Sequence, residues 1–526
     1  MNSRWGRLAD EWAIRDTLSR YWRGVDRRDE ALVASTYHPH AYDDHGYFKG
    51  PVEGFIETLA PSVWAYFSKT QHFSGHIAIE FDEADPEIAY VESYAEAHHL
   101  RGEGDGSSND LVYGLRYVDR FTCVDDEWRI AHRVCTWDWS RSDRCGAVPL
   151  PDSYFRGALS TSDPVYEHPK GRGTRDSEEV IVAKQNCMDT LALYTRGIDR
   201  CDLATVRDAY HPDAYDDHGG YKGGVEGFLD WVKPTVMDAF AVTMHKLGNS
   251  LIEVELAGES SGEDKIDRAW AETYAVVHHV QEISDAAGAT DLVMGVRYID
   301  RLEDRGTGWK IADRRMSFEW ERTASLGSQA PYPGFSSGLR DGSDPVLMEF
   351  AAPLGDEKGN RRPTAEFDAI ADRAEIYEVL VRYCRGVDRR DRELIRSTYH
   401  ADAEDDHGTY QGNLDGFLDF VENEVHSRFR TTMHKLGQAL IEVQGDRARS
   451  ETYAVCHHVS EEGGLDVSDS VMGIRYLDHF ERRGGEWKIA KRLLLWEWIR
   501  HDAVISLDPD WTLGIAGPTD PVFLHE

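Results

Sequence analysis

Apolar and polar positions change rhythm along this chain, and the change occurs three times. The segment "EIYEVLVRYCRGVDRRD" carries apolar residues at helical spacing. "RELIRSTYH" and "GFLDFVENEV" continue in the same manner, which predicts three helices. The period then shortens to alternation. "ARSETYAVCHHV", "SVMGIRYLDHFER" and "EWKIAKRLLLWEW" are rich in β-branched and aromatic residues, with polar turns between them, which predicts strands. Helices followed by a largely antiparallel sheet make an α+β fold, with the helices on the concave face of a bent sheet. A cone-shaped α+β barrel of that kind leaves an interior pocket.

The landmarks recur in order. "YWRGVDRRD", "YTRGIDRCD" and "YCRGVDRRD" open the copies, followed by "AYDDHG", "AYDDHG" and "AEDDHG". "QHFSG", "MHKLG" and "MHKLG" come next, then "ESYAEAHH", "ETYAVVHH" and "ETYAVCHH". "GLRYVDR", "GVRYIDR" and "GIRYLDH" lead to "WRIAHR", "WKIADR" and "WKIAKR", and each copy closes on "DPV". Asp26 to Asp199 is 173 residues and Asp199 to Asp388 is 189. Periods of that length are whole domains rather than solenoid units. The Pro/Gly-rich charged stretches "EHPKGRGTRDSEE" and "PLGDEKGNRRP" place the domains at 1–170, 171–358 and 359–526.

Composition narrows the function classes. The 526 residues hold 59 basic and 95 acidic side chains, a net charge of −36, with no basic run. Such a chain repels nucleic acid and anionic membrane surfaces, so a small-molecule partner is expected instead. Seven cysteines, odd in number and without a CxxC pair, read as reduced thiols rather than a disulfide frame or a zinc site. No window approaches a membrane span and the N-terminus has no apolar signal core, so a soluble, cytoplasmic location is expected.

Fixed spacing marks the candidate chemistry. Tyr21, Tyr194 and Tyr383 each precede an Asp (Asp26, Asp199, Asp388) by five residues. The His of "DDHG" (His45, His218, His407) follows that Asp by 19 residues, and the His of the next strand (His72, His245, His434) by 46. A carboxylate that accepts an imidazole Nδ1–H fixes the tautomer and leaves Nε2 as a base. Bland readings stand beside this one. Asp26 could cap the next helix, and His72 could be a satisfied core histidine. "DDH" could be a turn, or His38, Asp43 and His45 could hold a metal. In a strand, Asp43 and His45 share one side and Asp44 takes the other. In "AETYAVVHHV" the second His lies on the small-residue side, which points His99, His279 and His458 at the pocket, an outward or interface His being the alternative. Arg116, Arg297 and Arg475 in "GxRYxD", and Arg133, Arg314 and Arg492 after "W[RK]IA", could bind an anionic or carbonyl group or pair with carboxylates.

This order of motifs resembles the SnoaL-like group of the nuclear transport factor 2-like superfamily, once per repeat. Within it the nearer resemblance is to scytalone dehydratase, bile-acid 7α-dehydratase and hexachlorocyclohexane dehydrochlorinase. The resemblance implies an active site at Tyr21, Asp26 and His72 and at their counterparts. It also implies a second pocket His at His99, His279 and His458, and three copies arranged as a covalent pseudo-trimer. One departure stands out: the His of "DDHG" occupies the place of a substrate-binding Tyr in the dehydratases.

The function this predicts is a cofactor-independent, metal-free lyase, a dehydratase acting on a hydroxylated, ring-bearing apolar substrate. In it Asp26–His72, Asp199–His245 and Asp388–His434 do acid–base work. Tyr21, His45, His99 and Arg116, with Tyr194, His218, His279 and Arg297 and with Tyr383, His407, His458 and Arg475, hold the substrate. An isomerase or cyclase, a formaldehyde-releasing C–C lyase and a non-catalytic binding protein are the alternatives. The single chain acts as an internal trimer, with further association open.

Overall fold

The structure, a computed structural model, describes residues 4–102, 108–145, 158–160, 162–167, 173–257, 266–282, 289–326, 336–341, 343–346, 366–460, 468–505, 507, 510–517 and 519–521. These fall into two compact units. The first spans Met1–Gln281, Asp291–Ala324 and Leu507–Thr512, and the second spans Glu282–Thr290, Ser325–Ser506 and Leu513–Glu526.

Copy one begins with helix α1 (Arg4–Asp26) and the short α2 (Glu30–Ser35). Asp29 caps α2, its carboxylate accepting the Leu32 N–H at 3.0 Å, and Asp202 and Asp391 do the same in the other copies. The cap reading of Asp26 is therefore corrected: the cap lies three residues on. Gly24 lets the two helices meet, since a Cβ there would stand 2.8 Å from Val33 Cγ2. Strands β1 (Tyr37–Asp44) and β2 (Lys49–Pro51) follow, then α3 (Val52–Thr58), which runs into a single π-helical turn at Leu59–Trp64. Four long strands complete the copy: β3 (Lys69–Phe81), β4 (Ile88–Gly102), β5 (Ser108–Val124) and β6 (Glu127–Cys145).

The strands form a sheet of order β2-β1-β6-β5-β4-β3, in which β1 and β6 run parallel and the other pairs antiparallel. This sheet is open, ending at β2 and β3, and is not the closed barrel that a cone suggests. Register shifts at Ser74/Ile77, Gly114/Leu115 and Arg120/Phe121 mark bulges, which bend strands locally. Helix α1 packs against β3 and β6. Copy two repeats the order with a six-stranded sheet, and copy three with a seven-stranded one. The extra strand is Ser336–Ser337, which pairs in parallel with Leu495 and Trp496.

In the first unit the outer face of copy one's sheet is covered, and Glu92, Glu96 and His98 of β4 are buried along with its apolar residues. There the outer faces of copies one and two meet over Phe73, Leu100, Tyr274, Val276, Val293 and Trp320. The inner face of copy one carries the core, from Ile14, Leu18 and Trp22 on α1 to Trp128, Ile130 and Trp137 on β6. Among the described residues no helix is long and apolar enough to cross a membrane.

Candidate active site

The end of α1 delivers Asp26, and β3 delivers His72. Asp26 Oδ1 accepts the His72 Nδ1–H at 2.7 Å and the Thr70 hydroxyl at 2.8 Å, while Oδ2 accepts the His72 backbone N–H at 2.9 Å. Both side chains are buried. The pattern repeats at Asp199, His245 and Thr243 with 2.6, 2.9 and 2.9 Å, and at Asp388, His434 and Thr432 with the same distances. Burial pushes each carboxyl upward, but the charge and hydrogen bonds of its histidine outweigh burial and hold it below the usual carboxylate range. A carboxylate held this way fixes the imidazole with Nδ1 protonated, which leaves Nε2 as the acceptor nitrogen.

The "DDHG" turn builds a second dyad. Asp43 and His45 share one side of the end of β1, and Asp43 Oδ1 accepts the His45 Nδ1–H in a short hydrogen bond. The other oxygen of Asp43 accepts the Tyr37 hydroxyl at 2.8 Å. Asp44, on the other side, folds the turn by accepting the Gly46 N–H at 2.8 Å. His45 Nε2 then meets the Tyr21 hydroxyl at 3.0 Å. The same relay joins Asp216, His218 and Tyr194, and again Asp405, His407 and Tyr383. The thrice-written hexapeptide thus spends one Asp on its histidine and the other on its own backbone. His38 takes no part, its Nε2 lying 3.0 Å from the Thr122 carbonyl.

The histidines of both dyads of copy one line one cavity that opens to solvent. Tyr21, His45, Tyr47, His72, His99 and Tyr117 supply polar groups, and Val25, Phe55, Leu59, Leu115 and Trp137 are among its apolar walls. The His99 ring stands edge-on to His72 at 5.4 Å, with His279 and His458 at 5.5 and 5.3 Å from His245 and His434. Burial, together with neighbouring His72, pushes His99 down to about 3, and burial with His434 does the same to His458. The first His of each pair lies on the other face: His98, His278 and His457 bond Asp110, Asp291 and Asp469. Burial raises the Tyr21, Tyr194 and Tyr383 hydroxyls well above the usual phenol range, so they stay protonated. Copy three differs at one position: Cys456 stands opposite His434, where the other copies have Ala97 and Val277. Burial pushes His434 down, but Cys456 and Asp388 outweigh it and hold it well above the usual imidazole value.

The arginines of "GxRYxD" require a correction. Arg116 is not among the residues lining the cavity, and it bonds Glu92 at 2.7 Å and Asp138 at 3.0 Å. Arg297 bonds Glu272, Glu319 and Asp163, and Arg475 bonds Glu451, Glu497 and Asp344. All three are fully buried in these carboxylate clusters, and for Arg297 and Arg475 the carboxylates outweigh burial and raise the guanidinium further above its usual value. The second set sits behind the tyrosines. Arg133 forms two 2.7 Å bonds to Asp119 and lies 4.2 Å from the Tyr21 ring and 4.4 Å from the Tyr117 ring.

Sequence reasoning did not assign Asp43, Asp216 and Asp405 as partners of the "DDHG" His. The available signal was the i, i+2 spacing, which places both groups on one strand face. It also missed Thr70, Thr243 and Thr432, for which alternation on β3 was the only cue.

The family profile described as "SnoaL-like domain" matches this chain at residues 6–134, 179–315 and 368–493. The chain belongs to the SnoaL-like domain family. Hexachlorocyclohexane dehydrochlorinase 1 of Sphingobium indicum is 28% identical over 128 residues, which is 24% of this chain and 79% of that protein. The uncharacterized protein Rv2910c of Mycobacterium tuberculosis is 28% identical over 127 residues, 24% of this chain and 84% of its own. Among solved structures, the type 3 hexachlorocyclohexane dehydrochlorinase LinA of Novosphingobium barchaimii is 26% identical. That match covers 27% of this chain and 96% of that one, with a TM-score of 0.25. A candidate scytalone dehydratase of Novosphingobium aromaticivorans is 17% identical, covering 28% and 94%, with a TM-score of 0.22. Each of these relatives matches about a quarter of this chain, about the length of one of the three family segments.

Proposed function

We propose that this chain is a lyase that eliminates water from a hydroxylated, ring-bearing apolar compound, without a cofactor, in each of its three copies. One observation carries the reading: the histidines of two Asp–His dyads, His72 and His45, line a single, largely apolar cavity. His72 Nε2 takes a proton from carbon next to a carbonyl or conjugated group, and Asp26 stabilises the imidazolium that forms. The electron pair moves into the new C=C bond as the C–O bond breaks. The Tyr21 hydroxyl, 3.0 Å from His45 Nε2, protonates the departing oxygen and takes a replacement proton from His45. The proton gained by His72 returns to His45 through solvent, so one water leaves with no net change in the protein. Acid–base assistance of this kind contributes roughly 10²–10⁴-fold. His99, held neutral, serves as a hydrogen-bonding wall rather than a charge.

The dehydrochlorinases among the relatives favour elimination over isomerisation. Chloride leaves without a proton, whereas hydroxide needs one, and the Tyr21–His45–Asp43 relay is the feature that favours water as the leaving group.

The test is a mass-difference assay on a pool of hydroxylated aromatic, polyketide and steroid carbonyl compounds, with no cofactor added. It compares the chain with a variant carrying His72→Ala, His245→Ala and His434→Ala. Loss of one water with the unaltered chain alone supports the reading. Loss of formaldehyde, or a retention shift at constant mass, moves it to C–C cleavage or isomerisation. Equal conversion by the variant removes the histidines from the chemistry.

A further inference from the structure

The wall of the first cavity is backed by residues from outside copy one's own sheet. Residues Leu507–Thr512 lie in the tail of copy three, yet they belong to the unit that contains copies one and two. There the Trp511 ring lies 4.3 Å from Trp137, an indole of the cavity wall. It also lies 5.9 Å from Tyr113, whose ring is 5.5 Å from His99. Leu507 packs against the same core. The Trp137 N–H donates to the Thr512 carbonyl at 3.0 Å, and the Thr512 hydroxyl donates at 3.1 Å to Asp44, the residue before His45. Gly46 completes the seat: its φ is +75°, and a Cβ there would stand 2.8 Å from the Trp511 ring.

The other unit repeats the device. Ser336 and Ser337, which follow copy two, pair with Leu495 and Trp496 of copy three, and the Gly338 N–H donates to the Trp496 carbonyl at 2.8 Å. Trp496 takes the place of Trp137 in its copy. Ser336 and Thr512 are the same position, each eight residues before the Asp of "DPV" (Asp344, Asp520). The residue before it is Trp511 in one tail and Phe335 in the other, the latter outside the described residues.

We infer that Leu507, Trp511 and Thr512 are a latch on the first cavity and that Trp511 is a positioning residue, fixing Trp137 and thereby governing which ring-bearing molecules reach His72 and His99. The tail of copy three backs the cavity wall of copy one, and the tail of copy two pairs with the corresponding strand of copy three. The claim concerns access, so it stands or falls separately from the elimination chemistry.

The test uses the full chain and needs no substrate. Diethyl pyrocarbonate acylates neutral, accessible imidazole nitrogens, and peptide mass spectrometry gives the rate at each histidine. Trp511→Ala is expected to speed modification of His72 and His99 several-fold. His245, His279, His434 and His458 in the same molecules stay at their original rates. Trp511→Phe is expected to restore most of the protection. Thr512→Val, which removes only the hydroxyl bond to Asp44, is expected to give a smaller rise at the same two residues. Unchanged rates at His72 and His99 in Trp511→Ala overturn the inference. So does acceleration at all six histidines, which would mean that the tail only stabilises the fold. Should Trp511→Ala not fold, Thr512→Val decides alone: a rise confined to His72 and His99 supports the latch, and no rise overturns it.

Discussion

The Tyr21 hydroxyl and His45 Nε2 lie 3.0 Å apart, and this bond joins the first helix of the copy to the turn after its first strand. It makes Tyr21 the end of a chain that begins at Asp43. The hydroxyl can pass a proton on only while His45 replaces it. Tyr21→Phe, Tyr194→Phe and Tyr383→Phe together remove that end and leave the rings packed. For an alcohol substrate, kcat/KM is expected to fall by about 10²-fold. For the chloride of the same skeleton, which leaves without a proton, it is expected to change little. Steady-state rates on the matched pair check this, and an equal loss on both would place Tyr21 in binding rather than proton delivery.

His99 and His458 tie folding to pH. Each is buried neutral with its value lowered to about 3, against 6.5 when exposed. A histidine depressed on folding contributes stability that is complete above the unfolded value and is lost as pH falls from there toward the folded one. Between about pH 6 and 4, each costs roughly 1.4 kcal/mol per pH unit. Urea unfolding across that window is expected to show a shallower pH slope for His99→Gln than for the unaltered chain, by about one proton.

Arg297 is expected to be structural. It neutralises Glu272, Glu319 and Asp163 at once, on the face where copies one and two meet. Arg297→Met leaves buried carboxylates unpaired, a change that costs about 3–5 kcal/mol. Calorimetry is expected to show a large fall in the first unit's Tm. The companion Asp163→Asn removes one carboxylate and one anchor of the copy-one tail, and is expected to cost less.

Much of this was legible in the letters. Equal spacing of Tyr21, Asp26, His45 and His72 in every copy identified groups that the fold gathers around one cavity, because helix α1 and strand β3 are joined by segments of fixed length. The side of the "HH" pair was legible from small residues, Ala95 and Ala97 leaving room beneath His99. Between the two roles open to Arg116, the sequence could not choose, because Glu92 and Asp138 lie 24 and 22 residues away on neighbouring strands and meet it only once the sheet forms. The partner of His45 was overlooked because Asp43 and Asp44 look equivalent until the strand ends and the turn claims one of them. Trp511 is silent in sequence, since its seat lies in another copy of the repeat.

The most direct test of the central claim follows proton abstraction itself. A compound that the chain converts is incubated in heavy water, and deuterium entering the carbon next to its carbonyl is followed by mass spectrometry. The chain is compared with a variant carrying Asp26→Asn, Asp199→Asn and Asp388→Asn, whose fold is checked by circular dichroism. An asparagine can still accept the histidine backbone N–H, but it no longer stabilises an imidazolium. The account predicts exchange with the unaltered chain and a loss of about 10²-fold or more in the folded variant. Exchange at the same rate in both would contradict it, because the base would then be some group other than the Asp-backed histidines.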